Sequence, residues 1–229
     1  MSTGANRAWW PLVDSLVEVP GVSVPEQSPT PYWTKQLLSE EEADAIHHQV
    51  IAQYPQKQLS RVYRWDGQGD EVNTDSRYTH YYDIMSLPNS REIEQRFNAA
   101  VEECAQTWWK KSTVPVYPPQ ILGYEERCHF RTHCDNSIWV NGAWNRNDPA
   151  RDITALLYIS DCVPTVTRHN QHSGGELIMD NIQTPNGPAR IQPRKGQFIA
   201  FPSHPVYRHQ VSPVTRGYRI AIVNWWSLR

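Results

Sequence analysis

Hydrophobic positions along this chain follow two rhythms, and the change falls near residue 120. Before it, helical spacing dominates. Ser39-Glu-Glu-Glu42 has the form of a capping box, in which the serine hydroxyl accepts from a free amide and Glu42 reaches back. The helix it predicts carries Ala43, Ile46, Val50 and Ile51 on one side and runs to about Tyr54, where Pro55 stops it. A second helix is predicted from a cap at Asn89 or Ser90, with Ile93, Phe97, Ala100, Val101, Cys104 and Trp108 at helical spacing. It ends near Lys110–Ser112, ahead of Pro115, Pro118 and Pro119. Residues 1–36, rich in Pro and Trp, read as an irregular arm. The polar, charge-mixed residues 57–83 read as short strands and a long, lid-like loop.

From Gln120 onward, short apolar or alternating runs are separated by Gly, Pro and Asn clusters. The runs are Ile121–Tyr124, Cys128–His133, Ile153–Ser160, Glu176–Met179, Arg190–Gln192, Gln197–Phe201, Tyr207–Val211 and Tyr218–Trp225. Eight short strands predict a mostly β fold with flanking helices: a jelly-roll, or double-stranded β-helix, core with the helices packed outside one sheet. On the Ile153–Ser160 run, Thr154 and Leu156 face opposite to Ala155 and Leu157, so one of the two pairs lines the barrel. No linker forces a division. The chain reads as a single domain, 1–229, with arm, helices and lid-like loop in 1–119 and the core in 120–229.

Composition narrows the function. With 229 residues, 39% hydrophobic and 20% charged, the chain can bury a sizeable core. A formal net charge of −2 and the lack of a long basic run argue against nucleic acid as the partner. No apolar run reaches the length of a membrane span, and Met1–Gly21 lacks a signal-peptide core. Four cysteines without a C-x-x-C pair fit a reduced, cytoplasmic setting. The ten Trp and eleven Tyr are assigned mostly to core packing, with an aromatic-lined pocket as the functional reading for the rest.

The chemistry starts at His133-Cys134-Asp135. In an extended segment, residues two apart share a face, so His133 and Asp135 can reach one ion while Cys134 points away. One H-x-D in a chain with nine histidines is weak evidence. The ordered series behind it is stronger: Gly174-Gly175-Glu176-Leu177, then Gly196-Gln-Phe198-Ile-Ala-Phe201-Pro202, then His209-Gln-Val211-Ser-Pro213-Val214-Thr-Arg-Gly217-Tyr-Arg219. Two imidazoles and one carboxylate on Fe(II) leave three positions open, enough for a bidentate co-substrate and O2.

In this series the chain resembles the 2-oxoglutarate/Fe(II) oxygenase superfamily, specifically its prolyl 4-hydroxylase-like branch, over about Gln120 to Trp226. The resemblance implies His133, Asp135 and His209 as the Fe(II) ligands and a jelly-roll around them. It implies Arg219, ten residues after the distal histidine, as the group gripping the far carboxylate of 2-oxoglutarate, a role that suits a guanidinium fork. Tyr124 is either a hydrogen-bonding partner of the co-substrate or a strand tyrosine facing the core. His204 is the alternative distal ligand, but it sits in a turn between Pro202 and Pro205. Asn136 either orients Asp135 or caps the loop. The implied activity is hydroxylation of an aliphatic C–H of an amino acid, a peptidyl residue such as proline, or a related small metabolite.

Asp135 argues against halogenation, because related halogenases carry a small residue there. Desaturation or ring closure would use the same cofactors with a different substrate pose. A jelly-roll binding module without catalysis is the further alternative. Candidate substrate contacts are Arg61, Arg64, Arg77 and Tyr81 in the lid-like stretch, Arg131 beside the metal motif, and Trp139 in the insert after it, which is expected to overhang the iron. Each of these also reads as an exposed strand or loop residue.

Overall fold

The computed structural model describes residues 32–63 and 69–229. The capping box forms as its spacing predicts: Ser39 Oγ accepts from the Glu42 amide at 3.2 Å, and Glu42 Oε2 accepts from the Ser39 amide at 2.7 Å. Helix α1 (Glu40–Ala52) starts there and buries Ala43, Ile46, His47 and Val50. Helix α2 (Ser90–Trp108) buries Ile93, Phe97, Ala100, Val101, Cys104 and Ala105. Its cap departs from expectation. Asn89 occupies the N-cap with φ −101° and ψ 18°, outside the extended region that aims a cap side chain, and it makes no cap hydrogen bond.

Two antiparallel sheets enclose the interior. In chain order their strands are β1 (Trp33–Gln36), β2 (Gln58–Leu59), β3 (Arg77–Tyr78), β4 (His80–Tyr82), β5 (Thr113–Pro115), β6 (Gln120–Tyr124), β7 (His129–His133), β8 (Ile153–Tyr158), β9 (Leu177–Thr184), β10 (Gly187–Ile191), β11 (Gln197–Pro202), β12 (His209–Val211) and β13 (Arg219–Leu228). The larger sheet has the order β1-β11-β8-β13-β6-β4-β2, with β5 added along β13, and the smaller runs β10-β9-β12-β7-β3.

Strand alternation builds two cores from one sheet. On β8, Ala155 and Leu157 join Ile46, Val50, Ile93, Phe97, Phe198, Ile222 and Trp226 in a cluster between the helices and the outer face of the larger sheet. Leu156 and Tyr158 join Leu122, Leu177, Met179, Val211 and Ala221 between the two sheets. Thr154 lies on the Leu156 side, so it is the Thr154–Leu156 pair that lines the barrel. Phe97 is wedged edge-on between Phe198 (ring centroids 5.3 Å) and Trp226 (5.1 Å), which fixes α2 to the sheet.

Three segments differ from the sequence reading. β1 lies inside the stretch read as an irregular arm; it pairs with β11 from Trp33↔Ala200 to Gln36↔Gln197, and four residues are too few to register as alternation. The described residues of 57–83 form short strands as expected, but these are built into the walls: β2 and β4 extend the larger sheet and β3 the smaller. The insert after the metal motif is a hairpin, Ser137–Val140 with Ala143–Arg146, turning through Asn141 and Gly142 at φ 51° and 78°. Among the described residues, no helix is long and apolar enough to cross a membrane, and all four cysteines are free thiols.

Truncating the wedge with Phe97→Ala should lower the unfolding free energy by about 3–5 kcal/mol, and removing the cap with Ser39→Ala should cost about 1 kcal/mol; urea denaturation measures both. A pH effect follows from His47, which is buried on α1 with neither ring nitrogen hydrogen-bonded among the described residues. Burial, then the neighbouring His169 and His48, push its pKa down to about 4. The unfolded chain therefore takes up a proton near pH 6.5 that the folded chain refuses. That contribution to stability is complete above about pH 6.5 and is lost as the pH falls toward 4. Across that window, stability should fall less steeply for His47→Leu than for wild type.

Candidate active site

β7 and β12 run side by side, and their register sets His209 directly across from His133. Asp135 follows just past the end of β7 and turns its carboxylate between the two rings. Asp135 Oδ1 lies 3.6 Å from His133 Nε2, and Oδ2 lies 3.7 Å from His209 Nε2. Three donors at this spacing are within reach of one ion with bonds of about 2.0–2.2 Å.

Each imidazole is oriented by its own strand. His133 Nδ1 donates to the Arg131 carbonyl at 2.9 Å, and His209 Nδ1 donates to the Tyr207 carbonyl at 2.9 Å. A carbonyl can only accept, so the proton sits on Nδ1 and the Nε2 lone pair is free in both rings. His133 is stacked on Phe130 (3.5 Å, 13°), and His209 meets Phe201 edge-on (5.1 Å). Burial, followed by repulsion from His133, pushes the His209 pKa down to about 4, so its ring is neutral at physiological pH.

Burial alone would raise the Asp135 carboxyl. The adjacent His209 and His133, together with the Thr154 hydroxyl, outweigh it and hold the group well below the usual carboxylate range. Thr154 Oγ1 donates to Asp135 Oδ2 at 2.7 Å and also meets Ser203 Oγ at 2.7 Å. Arg151 Nη1 donates to the Asp135 carbonyl at 3.2 Å. Asn136 caps the loop and does not touch the Asp135 carboxylate: its Nδ2 donates to the Arg151 carbonyl and its Oδ1 accepts from Ser137.

Arg219 opens β13 opposite Tyr124 of β6 and is fully buried. Its guanidinium lies 4.5 Å from the Tyr124 ring centroid and 5.5 Å from that of Tyr158. Among the described residues, none of its Nε, Nη1 and Nη2 atoms has a hydrogen-bond partner. A buried guanidinium with every donor unmet is a strong anion acceptor, and a carboxylate would satisfy it bidentately. The second glycine of the pair makes room for it. Gly175 has φ +69°, and a Cβ there would stand 2.8 Å from Arg219 Cδ. His172, buried next to this group, has its pKa pushed down to about 3 by burial and by Arg219.

A cavity of about 920 Å³ opens onto the triad. Arg61, Arg77, Tyr81 and Tyr124 line it, as do Thr154, Leu156 and Trp225. Arg219 stands behind Tyr124 and is not part of the lining. Arg64 lies outside the described residues. Arg131 is exposed and off the cavity, because a bulge in the β7–β12 pairing inserts one extra residue and turns Phe130 to the His133 side in its place. Trp139 is also off the cavity: hairpin alternation gives Ile138 to the lining and leaves Trp139 53% exposed against Trp144.

His204 is excluded as the distal ligand by its own hydrogen bond, since Nδ1 accepts from the Val206 amide at 3.1 Å. A second cluster, His80, Glu125 and Cys128, has its carboxylate already engaged by the Lys57 ammonium at 3.0 Å and the Tyr54 hydroxyl at 2.6 Å. Sequence reasoning missed Arg151, which lies over Trp225 (4.2 Å) and pairs with Asp148 (2.8 Å). It carried no signal, because its aromatic neighbour Trp225 comes from a distant strand.

Residues 119–227 match the family described as the 2OG-Fe(II) oxygenase superfamily. A PKHD-type hydroxylase of Verminephrobacter eiseniae is 31% identical over 175 residues, which span 74% of this chain and 70% of that protein. A PKHD-type hydroxylase of Teredinibacter turnerae is 33% identical over 110 residues, 48% of this chain and 42% of that one. In fold, the chain is similar to a prolyl hydroxylase from Trichoplax adhaerens solved in complex with a hypoxia inducible factor oxygen degradation domain peptide fragment, with a TM-score of 0.65 at 16% identity, covering 86% of this chain and 83% of that one. The chain belongs to the 2OG-Fe(II) oxygenase superfamily, with PKHD-type hydroxylases as its relatives.

Proposed function

We propose that His133, Asp135 and His209 hold the Fe(II) of this oxygenase, that Arg219 pairs with the far carboxylate of 2-oxoglutarate with Tyr124 beside it, and that the chain hydroxylates an aliphatic C–H of an amino acid, a peptidyl residue or a related small metabolite. One observation carries the reading: two imidazoles with free Nε2 lone pairs flank an ionised carboxylate, and a buried guanidinium against Tyr124 of the cavity wall has no hydrogen-bond partner among the described residues. Bound Fe(II), with 2-oxoglutarate and O2, supplies the oxidising power to break an unactivated C–H bond.

The protein supplies position and dryness. The Nδ1–H bonds to main-chain carbonyls keep both ring nitrogens aimed at the ion. Thr154 occupies Asp135 Oδ2 and leaves Oδ1 free, which favours a one-oxygen bond to metal. Arg219 offsets one negative charge of the dianionic co-substrate in a site where water is excluded. Leu156, Val223 and Trp225 give the cavity an apolar wall for a hydrocarbon substrate. The peptide bound to the Trichoplax adhaerens enzyme supports a peptidyl residue as one form of substrate.

The deciding experiment is 2-oxoglutarate turnover with a panel of free amino acids and proline-containing peptides, followed by product mass. Gain of one oxygen supports the reading, and turnover without succinate sinks it. In anaerobic Fe(II) titrations, Asp135→Ala should abolish stoichiometric binding, and Thr154→Val should weaken it by roughly 10–100-fold while the fold is retained. Arg219→Met and Gly175→Ala should both raise KM for 2-oxoglutarate by about tenfold or more, the first by removing the charge and the second by displacing it. An unchanged KM in both variants would place the co-substrate elsewhere.

A further inference from the structure

The cavity lining holds a cation that the proposed metal and co-substrate sites do not use. Arg77, on β3, lines it beside the triad. Its guanidinium lies 4.7 Å from the Phe130 ring centroid, and Phe130 is itself stacked on His133 at 3.5 Å. The cation is thus two stacked layers from a proposed metal ligand. Among the described residues, its hydrogen bonds go only to neutral acceptors: Nε donates to Thr79 Oγ1 at 3.1 Å and Nη1 to the Arg61 carbonyl at 3.1 Å. Nη2 is uncommitted in these bonds.

The other lining guanidiniums differ. Arg151 is neutralised by Asp148 at 2.8 Å. Arg61 is exposed and donates to the Asp70 carbonyl at 2.9 Å. Burial works against the charge on Arg77, while Tyr124 and the more distant Asp135 carboxylate support it. Arg77 is half-buried at the cavity wall and forms no ion pair with a carboxylate among the described residues, so an anion entering the cavity would complete its donors. Across the cavity, Leu156, Val223 and Trp225 offer apolar surface and no charge.

Building on the oxygenase reading above, we propose that Arg77 is the specificity residue that receives a carboxylate of the substrate, so that the substrate class is a carboxylic acid with an aliphatic body. The acid sits on Arg77 and the hydrocarbon lies along the apolar wall toward the triad. A free amino acid, a peptide C-terminus and an acidic side chain share this chemistry.

Ligand-observed NMR on the full chain, loaded with Zn(II) and 2-oxoglutarate so that no turnover occurs, tests it. The probes are the free amino acids, their amides, proline-containing tripeptides with free or amidated C-termini, and N-acetylated, amidated Asp and Glu. At least one acid should bind, and its amide should bind about tenfold or more weakly. Arg77→Gln should reduce the acid to the level of the amide, Arg77→Lys should recover part of the loss, and Arg216→Gln, an exposed charge off the cavity, should change nothing. Which probe set binds identifies the source of the carboxylate. The proposal is overturned if acids and amides bind alike, if no acid binds, if Arg77→Gln leaves acid affinity intact, or if that variant weakens 2-oxoglutarate and spares the acid. Succinate formation by the Fe(II)-loaded chain is scored separately, and its absence would sink the oxygenase reading without altering the acid-against-amide comparison.

Discussion

The whole site depends on a single cross-strand pair. His133 and His209 face each other because β7 and β12 pair antiparallel in one register, with a bulge between His133 and Phe130. Side chains alternate with period two, so a slip of one residue would send one imidazole to the opposite face and dissolve the site. The flanking strands guard against that slip. β12 is held by β9 on its other side, from Leu177↔Val211 to Met179↔His209, and β7 is held by β3. The buried residues Leu177, Met179 and Val211 fix the same register from the core side.

Around that pair, charge is arranged at two separate points. Asp135 is a buried carboxylate set between the two imidazoles, its Oδ2 accepting from Thr154. Arg219 is a buried guanidinium with no anion, standing behind Tyr124. The two do not meet, so neither neutralises the other. A divalent ion at one point and an anion at the other would balance both buried charges.

Much of this was legible in the chain. The His133-x-Asp135 spacing is a local pattern whose physical need, a shared strand face, can be read from the chain, whereas Gly174-Gly175 entered only as part of an ordered motif series and Arg219 only through the family resemblance. The Ser39 capping box and the helical spacing around Phe97 were equally local. What escaped was set by pairing between distant segments. Alternation alone places Arg131 with His133, and only the bulge substitutes Phe130. Thr154 and Ala155 were indistinguishable until the two sheets assigned their faces. Arg151 and Trp225 come together across 74 residues of sequence, which no short motif encodes.

The two main-chain carbonyls that receive the histidine protons have a consequence for assembly. Arg131 and Tyr207 lie two residues before the rings they hold, so each tautomer is dictated by local backbone and needs no partner carboxylate and no ion. The coordinating lone pairs are therefore in place once the strands are formed. In small zinc modules, capture of the metal supplies the folding free energy itself. A cation held by these two rings would instead arrive as a late guest in a finished host, and its departure would silence the chemistry while leaving the barrel standing.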